Sequence, residues 1–280
     1  MNKAYVNGQV QDTVSALDRG LLYGDSLFET VAVVEQNALM LDAHLKRLRE
    51  GSEVLGFKVD QNSLEQQISS SIEDCKPQDK AILRITITRG AQSRGYQPSK
   101  NSSPTIILSF HDWPELPKHF HTKGMKLGES DIRYAHQPYL AGIKHGNRLE
   151  QVLAAQSITD DIDDVLVFDT EDNVISVSKG NIFIQFGQEW LTPELSKCGI
   201  KGIVRDRLIQ HFESSGISCK IKTIKRTELL SNMQNITAVL CCNSIMGIIP
   251  VSQIFSQTID SVRSHQTLHN ALIQDQVIAV

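Results

Sequence analysis

The sequence predicts an α+β protein of two domains, and three observations carry this. Strand and helix patterns come in blocks, without the strict alternation of βαβ units. The stretch 113–122, with Pro114, Pro117 and few apolar residues, reads as a connector. Beyond it, many short strand patterns and few helical ones suggest a curved, barrel-like sheet. The expected domains are a small α/β sheet domain over 1–112 and a larger barrel-like domain over 123–280. At 280 residues the chain can form one large or two modest cores.

In chain order, residues 3–11 read as a hairpin turning at Asn7-Gly8. An irregular, apolar-rich loop is expected over 15–26, then a strand over 28–34. A helix opens at Leu41-Asp42 and ends near Gly56. A second begins at Asn62, where Asn62 and Glu65 have capping-box spacing and Leu64, Ile68 and Ile72 form a stripe. Leu83, Ile85 and Ile87 alternate with Arg84, Thr86 and Thr88, which marks a half-buried strand. It runs into a glycine-containing loop over 89–98, and a strand over 105–110 follows. In the second half, strands are expected at 125–128, 164–169, 173–178, 181–186, 217–223 and 236–241. Helices are expected at 147–159, 202–214 and 262–274, the first with Leu149, Val152 and Leu153 on its buried face.

Net charge −4 and a pI near 6.1 imply no basic face for nucleic acid. Apolar runs fall short of a membrane span, and the N-terminus has no signal-peptide core. Five cysteines without Cys-x-x-Cys spacing suit reduced thiols in the cytoplasm. The histidines are scattered, so no metal is expected.

Several stretches have the residue types of a chemical site, though each alone also suits an ordinary role. Lys144 follows an apolar turn. Partial desolvation there would lower its pKa and make its amine a nucleophile or base; a solvated surface lysine is the plainer reading. The run Gly199-Ile200-Lys201-Gly202-Ile203-Val204-Arg205 puts glycines before a helix, where free backbone N–H groups bind phosphate, or where a plain loop simply ends. Cys242-Asn243-Ser244-Ile245-Met246-Gly247 ends a strand in small polar groups, and the Ser244 hydroxyl could donate to a phosphate oxygen. Arg47 could grip a phosphate in bidentate fashion, or sit on a solvated helix face. Arg94 and Tyr96, on a glycine-containing loop, suit carboxylate recognition, or an exposed tip.

Taken in order, Asp18-Arg19-Gly20, Tyr23-Gly24-Asp25-Ser26-Leu27-Phe28-Glu29-Thr30, His44-Leu45-x-Arg47-Leu48, Gly142-Ile143-Lys144, Gly202-Ile203-Val204-Arg205 and Asn243-Ser244 resemble the fold-type IV pyridoxal-phosphate enzymes. The resemblance spans about residues 5–251. It implies the two-domain D-amino acid aminotransferase-like architecture and pyridoxal 5'-phosphate as cofactor. Lys144 would then be the Schiff-base lysine and proton-transfer base. Arg47, the Ile203 and Val204 amides and Ser244 would hold the cofactor phosphate. Arg94 and Tyr96 would hold a substrate carboxylate, reaching into a neighbouring subunit of a homodimer. Thr30 would act at the substrate end of its strand, with Phe28 and Asn243 beside the substrate. Within the group, the run Leu140-Ala141-Gly142-Ile143-Lys144-His145-x-Asn147-Arg148-Leu149-Glu150-Gln151 looks like bacterial aminodeoxychorismate lyases.

One departure matters. Aligned on Asn181-Ile182-Phe183, Ser176 stands where the family carries a glutamate that keeps the cofactor's pyridine nitrogen protonated. A serine can hydrogen-bond that nitrogen but does not hold the extra proton. The reaction the resemblance implies converts 4-amino-4-deoxychorismate to 4-aminobenzoate and pyruvate, where aromatisation supplies driving force and a weaker electron sink suffices. The alternatives are a D-amino acid or branched-chain aminotransferase, or a catalytically weakened cofactor-binding relative.

Overall fold

The computed structural model describes residues 3–77, 79–92 and 94–279. Ser93, in the loop expected over 89–98, and the first two residues of the N-terminus lie outside the described residues. Two compact units emerge. The first runs through Pro114 and includes Ile143–Asn147; the second holds Glu115–Gly142 and Arg148–Ile278.

In the first unit, β1 (Lys3–Val6) and β2 (Gln9–Val10) form the hairpin at Asn7-Gly8. The expected irregular loop contains a short helix, α1 (Arg19–Tyr23). The Asp18 side chain accepts from Gly20 N–H at 2.8 Å and so starts α1 in a stretch with little apolar period. β3 (Ser26–Val34) and β4 (Asn37–Ala38) lead to α2 (Leu41–Leu55), which ends at Gly56 in the left-handed conformation. α3 (Gln61–Cys75) is capped by Asp60, which accepts from Ser63 N–H at 3.1 Å, and not by Asn62. Asp60 lies in extended backbone just before the first turn, where a cap must sit, and Asn62 is already inside the helix. β5 (Lys80–Thr88) and β6 (Thr105–Asp112) complete an antiparallel sheet ordered β2-β1-β6-β5-β3-β4. Leu83, Ile85 and Ile87 are fully buried, as are Leu64 and Ile68 of α3.

In the second unit, α4 (His119–Thr122) occupies part of the stretch expected as connector, with Phe120 packed into the core. One apolar anchor between histidines gave no period to read. β7 (Met125–Tyr134) runs six residues beyond the expected strand. α5 (Leu149–Gln156), β8 (Asp164–Asp169), β9 (Val174–Val177), β10 (Asn181–Phe186), β11 (Glu189–Pro193) and α6 (Ile203–Ser214) follow. Then come β12 (Cys219–Lys222), α7 (Arg226–Ser231), β13 (Ile236–Asn243), β14 (Gly247–Ile254), β15 (Gln257–Thr258) and α8 (Val262–Gln274). The sheet order is β12-β11-β10-β13-β14-β7-β8-β9, with β15 on β14; it is mixed, since β14–β7, β7–β8 and β11–β12 pair in parallel. A Val177–Gly180 bridge joins β9 tightly to β10, so the sheet curls. Together with the antiparallel sheet of the first unit, this is the fold-type IV architecture. No described helix is long and apolar enough to cross a membrane.

One expectation is reversed. Leu149, Val152 and Leu153 of α5 are 77%, 53% and 47% exposed, while Ala154 is buried. At about 100° per residue, Ala154 lies about 140° around the axis from Leu149. The small residue is what packs inward, against Val165 and Val167 of β8, so the apolar stripe faces outward.

Candidate active site

Lys144 is placed by backbone pairing. Its carbonyl accepts from Phe28 N–H at 2.9 Å, and Gly146 N–H donates to Ser26 O at 2.8 Å. With a bridge between Leu27 and His145, these bonds lay 144–146 along the start of β3. Glycine is required here: a side chain on Gly24, whose φ is +64°, would collide with the Asn147 amide. The Lys144 side chain is half-buried, and its Nζ stands 4.3 Å from the centroid of the Phe28 ring.

The same sheet face gathers more groups. Thr30 lies directly opposite Arg84 across the β3–β5 pair, and Phe28 opposite Thr86. The Arg84 guanidinium sits 4.2 Å from the Phe28 ring centroid. Phe28, Thr30, Arg84 and the Lys144 amine therefore share one face. Arg84 was read only as the polar side of an alternating strand; the β3–β5 register is what brings it to Phe28.

Arg47 has a partner the sequence reading did not assign. Its Nε donates to Glu29 Oε1 at 2.7 Å, its Nη2 donates to Glu29 Oε2, and His44 Nδ1 lies 2.7 Å from the same carboxylate. Glu29 is fully buried. Burial alone would raise its carboxyl, but the Arg47 charge, with hydrogen bonds from His44 and Arg47, holds it down to about 2. The guanidinium edge expected to grip a phosphate thus holds Glu29. The alternation of β3, which turns Glu29 to the face opposite Phe28 and Thr30, could have signalled this.

The Arg94–Tyr96 loop is fixed by its backbone. Arg19 Nη1 and Nη2 donate to the carbonyls of Gly95 and Tyr96 at 2.7 and 2.9 Å, while its Nε pairs with Asp25 at 2.9 Å. Arg19 and Asp25 are thereby explained as a brace for this loop, while Asp18 accepts from Gly20 N–H and from the Thr88 and Thr105 hydroxyls. Arg94 and Tyr96 project outward, Tyr96 being 86% exposed. They are not brought to Phe28 or Lys144 within the first unit.

In the second unit, Gly142 N–H donates to Gly199 O at 2.9 Å and Lys201 N–H to Gly142 O at 3.1 Å. This ties the residue two before Lys144 to the loop leading into α6. Gly202 begins α6 with no side-chain cap, so the first-turn amides of Ile203 and Val204 have no intrahelical or capping acceptor. Any side chain at Gly202 would strike Asn181, whose Nδ2 holds Ile200 O at 2.9 Å. Arg205 is buried and bound to Thr192 and Pro193 O, a structural role. Asn243, expected beside the substrate, has its side chain engaged inside the unit: Nδ2 donates to Lys179 O, and Oδ1 accepts from Ile245 and Met246 N–H. It shapes the turn that presents Ser244.

Ser176 is buried opposite Val167 in the β8–β9 ladder. Glu171 and Asp172 are held in ion pairs with Lys197 and Arg133. Buried Asp164 leaves Oδ2 unpartnered, and burial raises its carboxyl. Strand alternation puts it with Leu166 and Phe168 on the larger core, the face opposite Ser176. Glu171 and Asp172 are thus paired elsewhere, and Asp164 faces away from Ser176. On the face of Ser176 stands Tyr134, whose hydroxyl is buried; burial pushes it up to about 12 against the opposing pull of Gln151 and Arg148. The uncapped start of α6 suits a phosphate, and the braced lysine suits a carbonyl cofactor. Only the ring-nitrogen position departs.

A family model described as amino-transferase class IV matches residues 26–254. Aminodeoxychorismate lyase of Vibrio harveyi is 31% identical over 253 residues, covering 89% of this chain and 90% of its own. The structure of 4-amino-4-deoxychorismate lyase from Pseudomonas aeruginosa superimposes with a TM-score of 0.91 at 33% identity, covering 97% and 98% of the two chains. A putative branched-chain-amino-acid aminotransferase of Methanocaldococcus jannaschii is 27% identical, covering 92% and 90%. Members of this family bind pyridoxal phosphate. The chain belongs to the class IV aminotransferases, the fold-type IV pyridoxal-phosphate enzymes.

Proposed function

We propose that the protein is a lyase that converts 4-amino-4-deoxychorismate to 4-aminobenzoate and pyruvate. The observation that carries this is a half-buried lysine braced on β3, its amine over Phe28, in a chain 31% identical to an aminodeoxychorismate lyase over 89% of its length. When bound, pyridoxal phosphate supplies a carbonyl for the substrate amine and an electron-withdrawing ring. Lys144 would hold that carbonyl through its amine and, as a free amine, would be the base that takes the substrate's C4 proton. Ile203 and Val204 N–H, Ser244 and Arg47 would hold the phosphate. Thr30 and Arg84, beside Phe28, would orient a substrate carboxylate in the same chain, and Arg94 and Tyr96 another from the neighbouring subunit.

Ser176 favours the lyase over an aminotransferase. The lyase step ends in an aromatic ring, which supplies driving force that the ring nitrogen need not provide. An aminotransferase, the second reading, has support in the family and in the Methanocaldococcus relative. Incubation with aminodeoxychorismate made in situ is expected to release 4-aminobenzoate and pyruvate in equal amounts. Amino-acid-dependent release of a 2-oxo acid, with no 4-aminobenzoate, would instead select the aminotransferase.

The exposed stripe Leu149, Val152 and Leu153 on α5 supports a homodimer, since a self-complementary apolar patch suits a two-fold contact. Leu149→Asp combined with Val152→Asp should shift the protein from dimer to monomer in sedimentation velocity. A wild-type monomer at micromolar concentration would remove the neighbouring-subunit role of Arg94.

A further inference from the structure

The second unit contains a histidine cluster that the proposed reaction does not use. His121 lies on α4, and His265 and His269 lie one turn apart on α8. Positions four apart share a helix face, so both α8 rings point the same way. The fold closes the 144 residues between His121 and His265: His121 Nδ1 and His265 Nε2 are 3.5 Å apart. Ring centroids stand 5.5 Å (His121–His265), 5.1 Å (His121–His269) and 5.0 Å (His265–His269) apart. One nitrogen from each ring lies within 4.8 Å of the other two.

Three convergent imidazoles from two helices form a ligand set when each keeps a lone pair. Burial lowers the pKa of all three, and mutual repulsion adds to this for His265, held down to about 4, and for His269. Each shift favours the neutral ring, the form with a lone pair to give. His265 Nε2 lies 2.9 Å from Ile248 O on β14. The carbonyl can only accept, so Nε2 carries the ring hydrogen and Nδ1 is the nitrogen of His265 left for an ion, as outer acceptors arrange for metal-binding histidines. Among the described residues no carboxylate or thiol belongs to the group, which excludes the oxygen-rich sets of magnesium and calcium.

We propose that His121, His265 and His269 bind a divalent transition ion of the zinc class, clipping α8 to α4. Tetrahedral zinc holds its nitrogens roughly 3.3 Å apart, so from separations of up to 4.8 Å the rings must close by up to about 1.5 Å. Water takes the fourth position. The clip has a target within the same unit. Beyond α8, buried Ile278 packs against Gly247, at the end of the turn that carries Ser244. The inference stands without the lyase reading.

The test uses zinc alone, added to the purified full-length protein after chelator treatment and followed by titration calorimetry. Wild type should take up one ion per chain, and saturating zinc should raise Tm by on the order of 5 °C. His121→Ala combined with His269→Ala should weaken binding at least roughly tenfold while Cys219→Ser leaves it unchanged. Absence of stoichiometric binding, or equal affinity in the double variant, overturns the proposal. Should that variant fail to fold, X-ray absorption of zinc-loaded wild type decides. Imidazole nitrogens near about 2.0 Å support the site, and sulfur near about 2.3 Å refutes it.

Discussion

Lys144→Ala is expected to reduce turnover by roughly 10⁴-fold or more and to abolish the covalent cofactor absorbance, with little change in fold. The fold is spared because the bonds that lay residues 144–146 along β3 use backbone atoms, which alanine retains. What is lost is the amine over Phe28. Lys144→Arg sharpens the test. It keeps a cation over the ring but offers no amine that can form a Schiff base or remove a proton at neutral pH. Both variants should therefore be equally inactive, while Phe28→Leu, which removes only the ring face, should retain measurable activity. Steady-state rates, cofactor spectra and Tm on the same preparations check this. An active Lys144→Arg enzyme would end the assignment.

How far the sequence could be read depended on whether an element is held by its own periodicity or by a distant partner. α3 and β5 carry apolar stripes, and α2 ends at Gly56, so their positions were legible. So were β8, β10, α6 and α8, whose bounds match the expected ones to within one residue. β11 and β14 were not read; each owes its place to neighbours across the curled sheet, and β14 carries Pro250 and Gly247 at points that break its pattern. α5 misled because three large apolar residues outweighed one alanine. In the site, the lysine and the uncapped helix start are local features and could be read from local sequence. Arg84 and the Glu29–Arg47 pairing needed cross-strand and helix-to-sheet register, which one strand's alternation does not specify. The histidine cluster lay furthest from reach, since nothing local links His121 to α8.

The pairing of Glu29 with Arg47 and His44 yields the second large effect. Glu29→Gln should destabilise the protein by about 3–5 kcal/mol in phosphate-free buffer, the range for breaking one partner of a buried ion pair. The cost arises because the Arg47 side chain is only 12% exposed and would be left without its carboxylate. Its pH signature is specific. The Glu29 carboxyl falls from an ordinary value of 4.5 to about 2 on folding, so the ionised form is favoured by the native state. The stabilisation is fully present above about pH 4.5 and is lost as pH falls towards 2; it amounts to roughly 3 kcal/mol at about 1.4 kcal/mol per unit. Urea titrations of wild type should therefore show stability declining steeply across that window, and Glu29→Gln should show a shallower decline. Arg47→Ala separates structure from ligand binding. It removes the cation that offsets a buried carboxylate, so Glu29 must take up a proton or unfold its surroundings, and stability falls even without cofactor. If Arg47 also holds the phosphate, cofactor affinity falls further in Arg47→Ala than in Glu29→Gln, since only the arginine variant loses the donor. Equal cofactor affinity in the two variants would leave Arg47 as a structural partner of Glu29 and place the phosphate on the α6 amides and Ser244 alone.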